Sequence, residues 1–428
     1  MNIIEERKER AILVGVCINK EPNFEHSMEE LGELAKACDM EVICIHTQNL
    51  PSPNTGLYIG TGKVEEIKES AALMEADVVI FDNALSPIQL RNLSSEIQLP
   101  IWDRTSLILQ IFATRAQTKE AKLQVELARY QYMLPRLVGL RTSLGRQGGG
   151  SGSMSNKGSG EKKIELDRRR IEQRITELKK EVVEVAKDRE TKRKQRMSSS
   201  LPQVALVGYT NAGKSTLMNQ LVDLYVKDDL KKVFEKDMLF ATLETTIRKI
   251  MPEDNKGFLL SDTVGFIDKL PHSLIKAFHS TLEEVVLADV LLHVIDFSDE
   301  NNTEHVRVTT ETLTDLKASH IPVIYVYNKA DKSMPLGELP KVIDNKIYMS
   351  AKLGIGFPEL LQLISDIVYG SHVTCDMLLP YDKGNILSYL LENATVHNCE
   401  YTADGTLIHL ECSKEDNMRY KEYILVEN

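Results

Sequence analysis

Apolar positions in the first hundred residues recur in two rhythms. Short runs at Ala11–Cys17, Val42–Ile45, Asp77–Phe81 and Pro100–Trp102 read as strands, and amphipathic stretches at Met28–Cys38, Val64–Met74, Pro87–Ile97 and Thr105–Arg115 read as helices between them. This alternation predicts a small parallel sheet with helices on its faces over residues 1–115. Gly60-Thr61-Gly62-Lys63 looks like the tail of a phosphate loop, but no glycine stands at the upstream position and no hydroxyl follows the lysine. It reads as the turn that starts a helix.

From Ala116 the rhythm is purely helical. Leu123, Leu127, Tyr130 and Leu134 recur at spacings of three and four until Pro135, which is expected to stop the run. Ile164, Ile171, Ile175, Leu178, Val182 and Val185 form a second seam of the same period. Two such helices should pair antiparallel, making residues 116–197 a helical hairpin whose loop, 146–163, is rich in Gly and Ser. Ser198–Pro202 reads as a linker. Residues 198–372 then alternate strands near Ile247–Met251, Phe258–Ser261, Val290–Asp296, Val323–Tyr327 and Ile347–Met349 with helices near Ser273–Val286, Thr303–Ser319 and Pro358–Val368. The tail, 373–428, is expected to be a small α+β domain with a helix at Asn385–Asn393 and strands around Glu400–Tyr401 and at Leu407–Glu411. The expected fold class is multidomain α/β: a small parallel α/β domain and long hairpin first, then the domain 198–372, which the G-x-x-x-x-G-K-S pattern at Gly208–Ser215 marks as a P-loop NTPase domain, and a small α+β domain last.

Chemistry enters at Val204–Thr216, VALVGYTNAGKST. A strand-type run feeds a turn of the G-x-x-x-x-G-K-S pattern, with a helix expected from Leu217. Gly208 and Gly213 leave backbone N–H groups of Gly208, Tyr209, Thr210, Asn211, Ala212, Gly213, Lys214, Ser215 and Thr216 free to wrap phosphates, Lys214 supplies a positive charge, and the Ser215 hydroxyl suits Mg2+. Asp262-Thr263-Val264-Gly265 follows a strand, so Asp262 can hold Mg2+ through water while the Gly265 N–H senses a third phosphate. After the next-but-one strand comes Asn328-Lys329-Ala330-Asp331. The Asp331 carboxylate accepts from the N1–H and 2-amino group of guanine, whereas adenine would leave it unpaired at a cost of about 1–3 kcal/mol. Ser350-Ala351-Lys352 puts the Ala351 N–H where guanine O6 can accept it. Four elements in this order at strand ends imply a GTP site.

Phe240-Ala241-Thr242-Leu243-Glu244 and the following Thr245 and Thr246 lie where a first switch should close on the metal. The three threonines compete for that role, and Thr242 is favoured because Thr245 and Thr246 suit strand entry. Lys214, Thr242 and Gly265 are the expected catalytic residues, with Ser215 and Thr242 as direct Mg2+ ligands. Phe266 stands where many GTPases place a water-orienting glutamine, so slow intrinsic hydrolysis is expected.

Composition adds a polyanion partner. The chain of 428 residues carries a formal charge of −11, yet Arg115–Arg196 holds 22 Lys and Arg against 11 Asp and Glu, a local +11 that leaves −22 for the rest. A basic segment with a side-chain-poor loop suits contact with RNA, and Arg146, Lys157, Lys162 and Lys163 are the candidate phosphate contacts. The bland reading of that loop is a flexible connector. No apolar run reaches bilayer length, and the N-terminus MNIIEERKER lacks the core of a signal peptide, so a cytoplasmic monomer is expected. It could associate peripherally with ribosomes or a membrane surface. Six cysteines without C-x-x-C spacing are expected to be buried thiols.

YIGTGKVEEI (Tyr58–Ile67), RQGGG (Arg146–Gly150), IELDRRRI (Ile164–Ile171), VGYTNAGKST, FATL, DTVGFI and NKAD together resemble the HflX family of ribosome-associated GTPases over essentially the whole chain. The resemblance implies GTP-stimulated binding to the large ribosomal subunit and its rRNA, splitting or rescue of stalled ribosomes, and hydrolysis stimulated by that subunit. It also implies that Ser215 and Thr242 ligate Mg2+ and that the hairpin loop approaches the peptidyl-transferase region. Two departures are Thr245, where the family usually has proline after the acidic residue of the switch, and Gly158-Ser159-Gly160 in place of G-P-G. The alternative function is a regulatory G protein acting through its N-terminal domain on a non-ribosomal partner, with the hairpin as a spacer.

Overall fold

A computed structural model describes residues 7–19, 23–146, 157–197, 201–225, 240, 246–252, 256–269, 279–370 and 373–425, and of these the side chains of all but 137–146, 157–164, 186, 188–197, 279–281, 283, 392–393 and 415. The chain forms two compact units. The first holds Met1–Arg196 with Lys236–Glu244 and Ile267–Ser280; the second holds Met197–Glu235, Thr245–Phe266 and Thr281–Asn428.

In the first unit the strands β1 (Arg10–Ile18), β2 (Glu41–Leu50), β3 (Val78–Phe81) and β4 (Ile101–Asp103) form a sheet of order β2-β1-β3-β4, parallel throughout. The helices α1 (Phe24–Ala37), α2 (Thr61–Leu73), α3 (Pro87–Ile97) and α4 (Arg104–Arg115) connect and follow them. β1 and β3 are inner strands and read as unbroken apolar runs because both faces are covered; β2, at the edge, is half-exposed or exposed along its whole length. Ile12, Val14, Val16, Val79 and Phe81 anchor this core, each contributing about 1.5–3 kcal/mol by burial. Gly60 is the N-cap of α2, so the GTGK sequence is indeed a helix-starting turn. α3 opens with a capping box, Ser86 Oγ accepting from Gln89 N at 3.3 Å, with Pro87 at its first position.

The helical region departs from expectation. α5 spans Lys119–Arg146 and runs through Pro135. One interior proline removes a single N–H and crowds one carbonyl; Leu123, Leu127, Tyr130 and Leu134 before it pack with Ile175 and Leu178 of the facing helix, so the chain reaches Pro135 already in a packed helix. α6 spans Lys157–Met197, so the expected loop 146–163 is helical in its last seven residues. Arg174 bridges the two helices to Glu126 at 3.0 Å. Residues 147–156, and the side chains of Arg146, Lys157, Lys162 and Lys163, lie outside the described residues.

In the second unit β5 (Gln203–Val207), α7 (Lys214–Tyr225), β6 (Thr246–Ile250), β7 (Phe258–Asp262), α8 (His279–Val286), β8 (Val290–Asp296), α9 (Asn302–Asp315), β9 (Val323–Asn328), β10 (Lys341–Ile343), β11 (Lys346–Tyr348) and α10 (Phe357–Val368) follow in order. The seven strands are ordered β10-β11-β9-β8-β5-β7-β6, parallel except for the two edge pairs. β5 and β8 are buried throughout or nearly so, over a core that includes Val204, Leu206, Leu292, Val294 and Val326. The tail forms an antiparallel sheet β12-β14-β13 from Val373–Leu379, Gly405–Cys412 and Thr395–Thr402, with the helices α11 (Gly384–Asn393) and α12 (Lys414–Arg419). Its first strand was not expected. The cysteines also depart from expectation: Cys17 and Cys412 are buried, Cys38, Cys44 and Cys375 are partly exposed, and Cys399 is exposed. Among the described residues no helix is long and apolar enough to cross a membrane.

Candidate functional site

The turn after β5 is built by two glycines that no other residue could replace without strain. Gly208 has φ +140°, and a Cβ there would lie 2.2 Å from the Val294 carbonyl oxygen; Gly213 has φ +96°, and a Cβ would lie 2.2 Å from Asn328 Nδ2. Between them Asn211 adopts φ 60°, a left-handed conformation that asparagine tolerates. α7 begins at Lys214, so its free N–H groups and the positive end of its dipole face the turn.

Lys214 is buried and donates to the carbonyls of Gly208 at 3.1 Å and Tyr209 at 2.7 Å. Burial pulls its pKa down to about 8; the Asp262 carboxylate opposes that shift and Lys329 adds to it. β5 and β7 are paired with Leu206 opposite Asp262, which brings the carboxylate beside the turn. Ser215 Oγ donates to Asp262 Oδ2 at 2.8 Å, and Thr263 Oγ1 donates to the Leu206 carbonyl at 2.6 Å. A hydroxyl and a carboxylate converging in this way are hard oxygen ligands of the kind Mg2+ takes. The buried Thr210 Oγ1 has no hydrogen-bond partner among the described residues, leaving it available to a ligand.

The two loops are zipped together. Thr210 N donates to the Phe266 carbonyl at 2.8 Å, and Phe266 N donates to that of Gly208 at 3.1 Å. Gly265 faces the turn so closely that a Cβ on it would lie 2.9 Å from Lys214 Nζ and 2.9 Å from Thr210 Cα. Val264 and Phe266 are buried beside it.

Asn328, at the end of β9, ties three loops. Its Nδ2 donates to the Ala212 carbonyl at 3.0 Å and its Oδ1 accepts from Ala351 N at 2.9 Å. The Ala351 N–H, expected to meet guanine O6, is thus bonded to Asn328 here. Lys329 donates to the Asn211 carbonyl and to Asp296 Oδ2, both at 2.8 Å. Ala330 is buried, Asp331 sits in the short 3-10 turn Ala330–Lys332, Ser350 is buried and Lys352 is exposed. Thr216 lies in the first turn of α7.

Ala241, Thr242, Leu243 and Glu244 lie outside the described residues. The Phe240 side chain, expected at the nucleotide, instead packs edge-on against Phe112 in the first unit, with ring centroids 4.7 Å apart. Edge-on packing of this kind is a favoured arrangement for two aromatic rings.

Some residues of the site were not anticipated. Asp296 ends β8, in register with Asn328, and although burial works against its charge, the bond from Lys329 and those from Ser298 hold its carboxyl below the usual range. A carboxylate at the end of a strand neighbouring N-K-A-D was the available signal. His305 stacks on Tyr209 with centroids 3.8 Å apart, a pairing between distant segments that one-dimensional patterning does not reveal.

Comparison with known proteins agrees with this geometry. Four family models cover the chain: GTP-binding GTPase N-terminal at residues 25–113, GTP-binding GTPase Middle Region at 115–196, 50S ribosome-binding GTPase at 203–329 and HflX C-terminal domain at 338–420. The GTPase HflX of Caldanaerobacter subterraneus subsp. tengcongensis is 43% identical over 427 residues, 99% of this chain and 96% of that protein. The chain belongs to the GTPase HflX family. The HflX of Escherichia coli strain K12 is 37% identical over 406 residues, 93% of this chain and 92% of that one. Among solved structures, a GTP-binding protein from the archaeon Sulfolobus solfataricus in complex with GDP is 26% identical, with a TM-score of 0.44 over 84% of this chain and 98% of that one. As an HflX GTPase the chain binds GTP and hydrolyses it.

Proposed function

We propose that this HflX GTPase is a switch that binds the large ribosomal subunit in its GTP state, splits or rescues stalled ribosomes, and hydrolyses GTP faster when the subunit is bound. The observation that carries the reading is the match of residues 203–329 to the 50S ribosome-binding GTPase family, combined with the +11 charge of residues 115–196. A basic helical arm gains affinity for rRNA by releasing counterions from its phosphates.

In this reading the N–H groups of residues 208–216 wrap the phosphates, and Lys214 turns from the Gly208 and Tyr209 carbonyls to the outer two. Phosphate charge favours the charged ammonium and offsets the downward shift that burial imposes. Asp331 reads the N1–H and 2-amino group of guanine, with Asn328, Lys329, Ala330, Ser350, Ala351 and Lys352 shaping the base pocket. Ser215 and Thr242 would hold Mg2+ directly and Asp262 through water, a role that the 2.8 Å approach of Ser215 to Asp262 fits. The metal supplies neutralisation of charge on the phosphates. Gly265 donates its N–H to the third phosphate, and Lys214, Thr242 and Gly265 together stabilise the transferring group. Phe266 offers no hydrogen bond to a water, so the unassisted rate is slow and a partner that orders the switches raises it.

The test is GTP turnover with purified large subunits. A rise of at least tenfold at saturation is expected, and an unchanged rate would remove the reading. Replacing Arg146, Lys157, Lys162 and Lys163 by alanine should weaken subunit binding and flatten its salt dependence. A partner bound through the N-terminal domain alone would be indifferent to that change.

A further inference from the structure

Four residues past Gly265, Lys269 belongs to the first unit. Its ammonium donates to Asp82 Oδ2 at 2.9 Å and to Ser27 Oγ at 2.9 Å, and Ser27 Oγ in turn donates to Asp82 at 2.8 Å. Asp82 directly follows β3. In a sheet ordered β2-β1-β3-β4 the winding reverses between β1 and β3, and open parallel sheets take their ligands outside the C-terminal strand ends at that point. The site is built accordingly: Asp82 N donates to the Val14 carbonyl at 2.9 Å, and Val16 N donates to Asn83 Oδ1 at 3.2 Å. Here the ligand position is filled by a lysine of the same chain.

Charge explains why the lysine stays. Asp82 is 1% exposed and bonded to Arg104 Nη1 at 2.6 Å, while Arg104 also pairs with the buried Glu30. Lys269 is a second cation beside the buried Asp82 carboxylate, which Arg104 also contacts. Taking Lys269 away removes one of those two favourable contacts from a desolvated carboxylate.

In the second unit, the loop that begins this segment lies flat on the phosphate turn, zipped through Phe266 to Gly208 and Thr210, with Gly265 against Lys214. A third phosphate bonded to both Lys214 and the Gly265 N–H has to enter between them, so the loop must back away. GDP makes no such demand.

We propose that Lys269, seated on Asp82 and Ser27, is a positioning residue that latches the second switch in the conformation excluding the third phosphate, and that GTP binding works against this latch. The inference rests on the reading of residues 262–265 as the γ-phosphate switch. It makes the N-terminal α/β unit the receptor for a switch lysine, so that the carboxylate socket is filled in the GDP state and vacated in the GTP state.

The experiment measures the affinity of the full-length chain for GDP and for a non-hydrolysable GTP analogue, in the wild type and in the Lys269→Met, Lys269→Arg and Ser27→Ala variants. Lys269→Met should tighten the analogue about fivefold and leave GDP unchanged, the size expected for a partly exposed ion pair with two hydrogen bonds. Lys269→Arg should keep the wild-type ratio, and Ser27→Ala, which leaves the carboxylate cluster charged, should shift it part of the way. Asp82→Asn added to Lys269→Met should contribute nothing further to the ratio. Unchanged affinities, or parallel changes for both nucleotides, overturn the latch. A wild type in which the analogue leaves the amides of residues 262–265 as protected from hydrogen exchange as GDP does would instead overturn the switch reading beneath it.

Discussion

The Asn328 side-chain oxygen accepts the Ala351 N–H at 2.9 Å, and the same side chain reaches the phosphate turn through Ala212. One buried amide therefore connects the two guanine-reading loops to the loop that holds phosphate. Asn328→Ala leaves the Ala351 N–H and the Ala212 carbonyl unpaired, each at about 1–3 kcal/mol. We expect a loss of about 2–4 kcal/mol in urea unfolding of the second unit and a fall in GDP affinity of at least tenfold. A variant with wild-type stability would show that the amide is dispensable.

Gly208→Ala introduces a methyl group 2.2 Å from the Val294 carbonyl at a backbone angle of φ +140°. Neither the strand β8 nor the turn can yield cheaply, so nucleotide binding should be abolished, with thermal unfolding of this unit at lower temperature. Fluorescent GDP titration and calorimetry read both.

Nucleotide affinity should fall as pH rises above about 8. Burial lowers the Lys214 pKa to about 8 in the free protein, whereas bound phosphates favour the charged ammonium. Binding therefore takes up a proton above that pH, and the GDP dissociation constant should rise about tenfold from pH 7 to pH 9. Lys214→Arg, whose charge does not titrate in this range, should remove the slope.

Arg104→Met should destabilise the first unit by about 3–5 kcal/mol, because it leaves Glu30 and Asp82 buried without their common partner. In the wild type, burial raises the Asp82 pKa but Arg104 and Lys269 outweigh it, holding the carboxyl below its usual range. Its folded pKa being depressed, that stabilisation is full above about pH 4 and is lost as pH falls below that value. Acid unfolding of the wild type, followed by circular dichroism, should show the loss, and the variant should show less of it.

Much of this was legible in one dimension. Strands such as Val290–Asp296 and helices such as Pro87–Ile97 carried their own periodicity and caps, and the glycines, lysine and carboxylates of the nucleotide loops stood at fixed offsets from strand ends. What was hidden depends on long-range packing. Pro135 stays helical because of residues forty positions away on the facing helix, Phe240 is claimed by Phe112, and Val373–Leu379 is a strand only because Gly405–Cys412 pairs with it. Asp82 and Lys269 are 187 residues apart and neither has a local pattern that announces the other. The side chains expected to face RNA, those of Arg146, Lys157, Lys162 and Lys163, lie outside the described residues.

The central claim is that guanine-nucleotide state decides when the chain holds the large subunit. Asp331→Asn should exchange guanosine for xanthosine triphosphate, since an amide can donate to the 2-oxo group that the carboxylate repels. Sedimentation of this variant with large ribosomal subunits is therefore the most direct measurement. The account predicts that a non-hydrolysable xanthosine triphosphate analogue, and not the guanosine analogue, drives the variant into the subunit pellet. Equal pelleting with either analogue, or with none, would contradict it.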